Sequence, residues 1–193
     1  MEKEWPLLRE RIAEGDEIAF TRLYGLFYKR LYHFSLSLVR LPDTANEVVE
    51  DVFTRMWLNR ARITDIHNPA VYLYVAVKNQ SLNRLSVKAR EWIVSGLDET
   101  STSVAAIGSD PFTQVVTAEM LRRVNSAVEQ LPPRCKMIFK LVREDGLRYK
   151  EVAEILNISV NTIDVQMATA VRRISEALGI AQYVRQKAPL KKK

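Results

Sequence analysis

Polar and cationic residues around position 165 have the types and the spacing that suit contact with a nucleic acid. On a helix that begins after Ser159, one side would present short polar groups first and arginines further along. The candidate contact residues lie on that side, on its flank or, for Ser159, directly before the helix. They are Ser159, Asn161, Thr162, Val165, Gln166, Thr169, Arg172 and Arg173. A helix in a DNA major groove presents its first turns to base edges and later cations to phosphates. The pattern predicts a DNA-reading helix, although a polar face that is only solvated fits it as well.

The other side of this helix and the segment before it follow the layout of a helix-turn-helix. Apolar residues that recur at steps of three and four form a stripe that must face a core; they are Ile163, Met167, Ala170, Val171, Ile174 and Leu178. A shorter helix precedes it, with Val152, Ala153, Ile155 and Leu156 on its buried side. Between the two, Asn157 is expected to end the first helix and Ser159 to cap the second.

A second group of charged residues lies on a helix expected over residues 44–59, with Asp43 as its cap. One broad face is apolar and contains Val48, Val49, Val52, Phe53, Met56 and Trp57. On or near the other face lie Glu47, Glu50, Asp51 and Arg55. Such a face could bind a basic partner, and an ordinary solvated acidic face has the same appearance.

The next segment combines cations, amides and an aromatic ring. A loop over residues 60–67 contains Arg60 and Arg62, and Asn68-Pro69 is a strong helix start. The following helix carries Tyr72, Tyr74, Lys78, Asn79, Asn83, Arg84, Lys88 and Arg90. Tyr72, Asn79, Asn83 and Arg90 fall within about 40° of one another on a helical wheel. This face suits unpaired bases, which stack on rings and bond to amides, but a solvated helix would show the same cations.

Composition and charge indicate a helical protein with a polyanionic partner. The 193 residues are 47% hydrophobic and carry a formal charge of +6. Residues 1–90 carry +3, residues 91–121 carry −5 with no Lys or Arg, and residues 122–193 carry +8. The single cysteine, Cys135, lies in an apolar helical run and is expected to be an inert buried thiol.

Several classes of function find no support in the sequence. It contains no Gly-rich phosphate loop, no paired-His spacing and no nucleophile motif, and His33 and His67 are isolated. We therefore expect no enzyme, no cofactor and no small-molecule substrate. The first residues do not form a signal-peptide pattern, and no apolar run approaches the length of a membrane span, so a cytoplasmic location is expected.

Along the chain, these segments predict an all-α protein of two small helical domains joined by a flexible acidic linker. The chain is expected to start with a short amphipathic helix at residues 7–12, which Gly15-Asp16 breaks and recaps. A long helix then runs from Ala19 towards Leu38, before the acidic-faced helix over residues 44–59. After the linker, helices over 117–130 and from Arg134 to Asp145-Gly146 complete a four-helix domain with the helix-turn-helix. The predicted limits are 1–90, linker 91–117, 118–180, and a basic tail 181–193.

The order of these parts resembles the extracytoplasmic-function (ECF) group of bacterial sigma factors. Segments 16–24 (DEIAFTRLY), 47–57 (EVVEDVFTRMW) and 68–79 (NPAVYLYVAVKN) are similar to the first conserved domain of the family, called region 2. Segments 131–134 (LPPR) and 150–174 are similar to its second, region 4. The resemblance spans about residues 7–180. The sequence departs from the family at three positions. The family often has Gln where this chain has Glu50, and often a basic residue and then His where this chain has Asp164 and Gln166.

The resemblance implies a role for each part in transcription initiation. Core RNA polymerase would be bound through its β′ clamp by Glu47, Glu50, Asp51, Phe53, Arg55 and Trp57, with the β subunit as a further contact. The minus-10 promoter element would be held by Arg60, Arg62, Asn68, Tyr72, Lys78, Asn79, Asn83, Arg84, Lys88 and Arg90. The minus-35 element would be read by the residues between Ser159 and Arg173 named above. An anti-sigma factor is an implied partner, and the free protein would be a monomer.

Two other functions remain open on the residues alone. A helix-turn-helix regulator would bind duplex DNA without polymerase, but it would leave residues 1–90 without a task. A helical adaptor would bind only proteins, so its arginines would make no phosphate contacts.

Overall fold

The computed structural model describes residues 4–85 and 115–179, and every regular element in these ranges is helical. The expected Lys88, Arg90, the linker before residue 115 and the basic tail lie outside the described residues. The helices are α1 (Trp5–Ala13), α2 (Glu17–Val39), α3 (Pro42–Leu58), a 3-10 helix (Arg60–Asp65), α4 (Pro69–Arg84), α5 (Val115–Glu129), α6 (Pro133–Arg143), α7 (Tyr149–Leu156) and α8 (Val160–Ala177). The all-α prediction is confirmed for these ranges.

The chain divides into two compact units. The first contains Met1–Gly96 together with Lys150–Asn157, and the second contains Leu97–Tyr149 and Ile158–Lys193. Most of α7 therefore groups with the amino-terminal helices rather than within the carboxyl-terminal limits expected from the sequence. Helix α5 begins at Val115, inside the segment expected to be linker.

The helix boundaries follow local capping chemistry, with one correction. Asp16 accepts the backbone N–H of Ala19 at 3.0 Å and caps α2 as expected, and Gly15 before it adopts a φ of 93°. The prediction that Asp43 caps α3 was wrong. Arg40 ends α2 in the left-handed region, and α3 starts at Pro42, whose missing N–H costs nothing in a first turn.

The core of the first unit lies where α2 meets α3 and α4. Leu23 and Leu31 on α2, Val48 on α3 and Leu73 on α4 are completely buried. Tyr74 is also buried, and its ring meets Phe34 edge to face at a centroid distance of 5.1 Å. Because the apolar sides of α3 and α4 both pack on α2, their polar sides have fixed positions on the surface.

The core of the second unit is a smaller cluster on α5, α6 and α8. Val128, Leu131, Cys135 and Ala170 are buried together, and Val124, Phe139 and Ile174 pack against them. The thiol of Cys135 donates to the carbonyl oxygen of Gln166 at 3.3 Å, and burial raises its pKa. The expectation of a buried thiol is confirmed.

Two further findings bear on function. Within the described ranges, no helix combines the length and apolar composition needed to cross a lipid bilayer. In the same part of the chain, no group of three His, Cys, Asp or Glu side chains could hold a metal ion.

Glu129 is the electrostatic link between α5 and α6. Its carboxylate accepts from Lys140 Nζ at 2.7 Å and from Lys136 Nζ at 3.1 Å. Burial alone would raise the pKa of Glu129, but the two ammonium groups outweigh it and hold this pKa below its usual range. A carboxylate with a lowered pKa stabilises the fold above its unfolded-state pKa, and this contribution is lost as the pH falls through the folded-state value.

We therefore expect Glu129→Gln to lower the free energy of unfolding at pH 7 by roughly 1 kcal/mol, a value that allows for solvent screening. The difference from wild type should shrink as the pH falls through the lowered folded-state pKa of Glu129, because a protonated carboxyl and an amide are both neutral. Thermal denaturation at a series of pH values from 7 to 3 measures this difference in the free energy of unfolding. The control is Glu144→Gln, since Glu144 is an exposed carboxylate at the end of α6. A difference that persists at low pH would contradict the ion-pair explanation.

Candidate nucleic-acid interface

The acidic face of α3 is joined to α4 by one arginine. Arg84 donates from Nη2 to Asp51 Oδ2 at 2.9 Å and from Nη1 to Glu47 Oε2 at 3.4 Å. All three side chains are substantially exposed, so each ion pair is weak by itself. Arg84 was expected to contact the minus-10 element, and in this structure its guanidinium lies on the acidic face.

A chain of amides extends this network across α3 and α4. Gln80 donates to Asp51 Oδ2 at 3.1 Å and accepts from Arg55 Nη1 at 3.3 Å. On the other side, Asn46 donates to Glu50 Oε1 at 2.8 Å and accepts from the hydroxyl of Tyr28. The orientations of Asp51, Arg55 and Glu50 are therefore set by neighbours before any partner binds.

Phe53 lies on the buried side of α3, as its place on the apolar face predicts, although the resemblance placed it among the polymerase contacts. It is only 2% exposed, and its ring packs against Phe20 and Tyr24 at centroid distances of 6.0 and 4.8 Å. Trp57 is half-buried beside Phe20. Phe53 thus supports the acidic face from inside, because a buried ring cannot reach a partner.

A groove between α3 and α4 brings together the aromatic ring and the two amides predicted to share a helix face. Its open cavity has a volume of about 260 Å³. The lining residues are Val52, Arg55, Tyr72, Ala76, Asn79, Gln80 and Asn83. Tyr72, Asn79 and Asn83 are all exposed, which confirms their common face. Arg55 and Gln80 belong both to this groove and to the acidic network.

The loop before α4 is more ordered than expected, since residues 60–65 form a 3-10 helix. The guanidinium of Arg60 lies over the Trp57 ring, 4.9 Å from its centroid, and donates to the Trp57 carbonyl at 3.3 Å. Arg62 is exposed. Asn68 caps α4 as predicted, accepting the N–H of Val71 at 3.1 Å.

Two expected DNA contacts are occupied by α7 within the same compact unit. Asn68 Nδ2 donates to Glu151 Oε1 at 2.7 Å, and Lys78 Nζ donates to the Ile155 carbonyl at 2.8 Å. Burial also lowers the pKa of Lys78. In this structure neither side chain presents its polar atoms freely, because α7 supplies their partners.

Helix α8 starts as the sequence predicts. Asn157 ends α7 with a φ of 54°, and Ser159 Oγ accepts the N–H of Thr162 at 3.0 Å. Its buried side contains Ile163 and Met167. These features confirm the helix-turn-helix layout along the chain.

The outer side of α8 divides into free and occupied groups. Asn161, Val165, Arg172 and Arg173 are exposed, while Gln166 is half-buried. The hydroxyls of Ser159 and Thr162 lie 2.8 Å apart and bond to each other. Thr169 Oγ1 donates back to the Val165 carbonyl at 2.9 Å. Arg172 Nη1 also lies 3.9 Å from Glu176 Oε1 in an exposed and therefore weak ion pair. Asn161, Val165 and Arg173 are thus exposed on this side, and Arg172 is exposed with one weak partner.

One residue of the apolar stripe on α8 was misplaced. Val171 was expected to face the core, but it is 46% exposed. It follows Ala170 by one residue, so it is turned by about 100° from that buried position. The core-facing stripe is therefore narrower than the sequence suggested.

The sequence interpretation missed how Gln80 and Arg84 act on α3. The available signal was a matching spacing, because Glu47 and Asp51 are four residues apart, as are Gln80 and Arg84. Two such pairs can meet when their helices lie side by side. Only the packing of α3 on α4 shows that they do.

Comparison with known proteins decides the family. Residues 23–91 match sigma-70 region 2, and residues 121–180 match sigma-70 region 4. The chain is 23% identical over 175 residues to the ECF RNA polymerase sigma factor SigW of Bacillus subtilis, covering 88% of this chain and 91% of that one. The chain belongs to the extracytoplasmic-function group of sigma factors. This confirms the resemblance drawn from the motifs.

Other ECF sigma factors show the same extent of similarity. SigK of Mycolicibacterium vanbaalenii is 24% identical over 184 residues, covering 92% of this chain and 91% of SigK. The sigma-E factor of Escherichia coli K12 is 28% identical over 165 residues, which cover 81% of this chain and 85% of the sigma-E factor. The chain is thus an alternative sigma factor that directs transcription initiation by RNA polymerase, and sigma factors are not enzymes.

Two solved structures share the fold. The sigma factor RpoE of Bartonella quintana, in complex with the anti-sigma factor NepR, has a TM-score of 0.58 and 21% identity, covering 83% of this chain and 97% of that one. CnrH, in complex with the cytosolic domain of CnrY, has a TM-score of 0.55 and 18% identity, and the match covers 91% of this chain and 97% of CnrH. RpoE of Bartonella quintana and CnrH therefore share the helical fold of this chain.

The Arg84 network of this sigma factor can be tested by stability. We expect Arg84→Ala to lower the free energy of unfolding by about 0.5 to 1 kcal/mol, because one guanidinium holds two carboxylates. Arg22→Ala is the matched control, since Arg22 pairs only with the exposed Glu4 among the described contacts. Thermal denaturation followed by tryptophan fluorescence in 50 mM and 500 mM salt measures both. Equal losses, or a loss for Arg84→Ala that salt does not reduce, would contradict the network.

Proposed function

We propose that this sigma factor docks on the β′ clamp of core RNA polymerase through α3 and holds unpaired minus-10 bases on α4. The observation that carries the proposal is the groove between the two helices. One wall belongs to the helix with the exposed carboxylates, and the other presents Tyr72, Asn79 and Asn83 to solvent. Polymerase and DNA would thus meet neighbouring surfaces of one rigid pair of helices.

The polymerase contact would rest on charge. Glu47 and Glu50 are exposed on α3, and Asp51 accepts a hydrogen bond from Gln80, a residue of the groove. A partner surface with Lys or Arg would replace the internal cation Arg84 with its own. Arg55 and Trp57 would flank this contact, and Phe53 would act only by packing beneath it.

The minus-10 contact would rest on stacking and amide hydrogen bonds. A base that leaves the duplex loses stacking, and an exposed ring restores about 1 to 3 kcal/mol per base. Tyr72 offers such a ring at 44% exposure, and Asn79 and Asn83 offer donors and acceptors to base edges. Arg60 and Arg62 would neutralise phosphates on the way into the groove. Strand opening is thereby stabilised without a chemical step.

The minus-35 contact would place α8 in the major groove of duplex DNA. Asn161 and Val165 lie near the start of the helix, where an amide and a methyl-bearing side chain can read base edges and a thymine methyl. Arg172 and Arg173 lie two turns later and would bind phosphate. Around them is an open cavity of about 370 Å³ that also contains Gln130 and Glu176.

The proposed partners of the free protein follow from its relatives. Two solved structures of this architecture are described as complexes, one with the anti-sigma factor NepR and one with the cytosolic domain of CnrY. We infer that a separate anti-sigma protein also binds this chain. The free sigma factor would be a cytoplasmic monomer until polymerase binds it.

The central experiment combines purified core polymerase with this protein on promoters found by transcript mapping after overexpression. Wild type should form heparin-resistant open complexes. A double Asn79→Ala, Asn83→Ala variant should lose roughly ten- to a hundredfold in open-complex formation, because each of the two lost base contacts costs about 0.7 to 1.4 kcal/mol. Its affinity for core polymerase should not change. Asn125→Ala, an exposed residue of α5, is the control. If wild type opens no promoter, the proposal fails.

The duplex contact has its own test. Replacing Arg172 and Arg173 with Ala should weaken minus-35 duplex binding at all sequences and reduce the slope of log K against log salt by roughly 2, about one unit per phosphate contact. The matched control replaces Arg122 and Arg123, two neighbouring exposed arginines of α5. Fluorescence anisotropy from 50 to 300 mM salt measures the slope. An unchanged slope for the α8 variant would favour the protein-only adaptor.

A further inference from the structure

Helix α1 makes a direct polar connection to the chain segment that leads into α4. The indole Nε1 of Trp5 donates to the carbonyl oxygen of Ile66 at 2.7 Å. One turn later on the same face, Arg9 Nη1 approaches this oxygen at 3.5 Å. Trp5 is 3% exposed, so its hydrogen bond is shielded from water. A single carbonyl thus receives donors from residues 57 and 61 positions away in sequence.

The position of Ile66 gives this contact its importance. Ile66 ends the 3-10 helix in an extended conformation, and Asn68, two residues later, caps α4. The place where Ile66 is fixed therefore determines where α4 begins. Because α4 is one rigid helix, the anchor also influences the first turn, which carries Tyr72.

The other end of the segment also touches the α1 region. Gly15 follows α1, and a side-chain carbon built there would lie 3.6 Å from Arg60 Nε. Between the ends, Ile63 is 1% exposed and packs where α1 meets the 3-10 helix. The α1 region thus lies close to both ends of the segment, at residues 60 and 66, and Ile63 between them is buried. The segment is held along its length from one side, which leaves Arg62 exposed on the surface.

We propose that Trp5 is a positioning residue for minus-10 recognition. Its hydrogen bond to Ile66 keeps the Arg60–Asn68 segment in the geometry that receives an unpaired base, although Trp5 itself is buried and touches no DNA. The inference rests on the proposed function of α4. It assigns α1 a task that no charge or motif in residues 5–13 suggests.

The test compares Trp5→Phe, which removes the N–H and keeps an aromatic ring, with Glu4→Gln. The control removes the ion pair between Glu4 and Arg22 that links α1 to α2, and leaves the Ile66 contact intact. The first measurement is hydrogen exchange of amides 60–68 in the full-length protein. We expect exchange to rise about three- to tenfold in Trp5→Phe and to remain unchanged in Glu4→Gln. Arg9→Met is a second variant in case Trp5→Phe does not fold.

The second measurement uses holoenzyme and a forked promoter fragment with an unpaired minus-10 non-template strand, compared with the same fragment carrying transversions in that strand. Trp5→Phe should reduce discrimination between the fragments about three- to tenfold, while affinity for core polymerase and for minus-35 duplex stays at the wild-type value. Unchanged loop exchange, an equal effect in Glu4→Gln, or increased exchange with full discrimination would each overturn the positioning role. If wild-type holoenzyme binds neither fragment, the proposed function fails, and exchange alone decides whether the anchor exists.

Discussion

The burial of the apolar sides of α3 and α4 against α2 is the constraint on which the remaining surface of the first unit depends. Val48 and Leu73 enter this core from the two helices and are completely buried. Once they are buried, the polar sides of α3 and α4 must emerge next to each other. The groove, the Arg84 ion pairs and the Gln80 hydrogen bonds are consequences of this arrangement. Exposed ion pairs alone could not create it, because each contributes less than about 1 kcal/mol.

This arrangement places an acidic surface on α3 next to an uncharged polar and aromatic surface on α4. Carboxylates on α3 suit a cationic protein surface and would repel DNA, whereas the amides and ring on α4 suit bases. Arg84 lies between the two surfaces and compensates the charge of Glu47 and Asp51 while no partner is bound. The surface that would approach a phosphate backbone is thereby partly shielded from the neighbouring negative charge. The side chains thus give α3 and α4 neighbouring surfaces of different electrostatic character.

The second unit separates scaffold from contact residues more simply. Ile163, Met167 and Ala170 fix α8 on one side, and Asn161 and Val165 remain free on the other. Several hydroxyls of this helix are used internally, because Ser159 caps the helix and Thr169 bonds to a carbonyl one turn earlier. These hydroxyls already have partners, so fewer side chains would have to lose hydration if α8 meets DNA as proposed. The exposed groups are then an amide, a methyl-bearing side chain and two guanidinium groups, of which that of Arg172 pairs weakly with Glu176.

The sequence alone determined the features that depend on neighbours within one helical turn. These include the caps at Asp16, Asn68 and Ser159, the left-handed end of α7 at Asn157, and the shared face of Tyr72, Asn79 and Asn83, since helical periodicity and capping act over three to four residues. The motifs, which keep their order along the chain, also determined the family. The start of α3 was not determined in this way, because Pro42 and Asp43 are both residues typical of helix starts. The helix begins at Pro42, and Asp43 is not its cap.

Tertiary structure decided which side chains are free. Val171 is exposed although it was expected in the apolar stripe. Arg84 and Lys78 are occupied because their partners lie on helices far away in sequence. The same holds for Trp5, whose partner Ile66 is 61 residues away. No periodicity within α1 reveals a carbonyl at that distance, since packing between helices brings the two groups together only after both have formed.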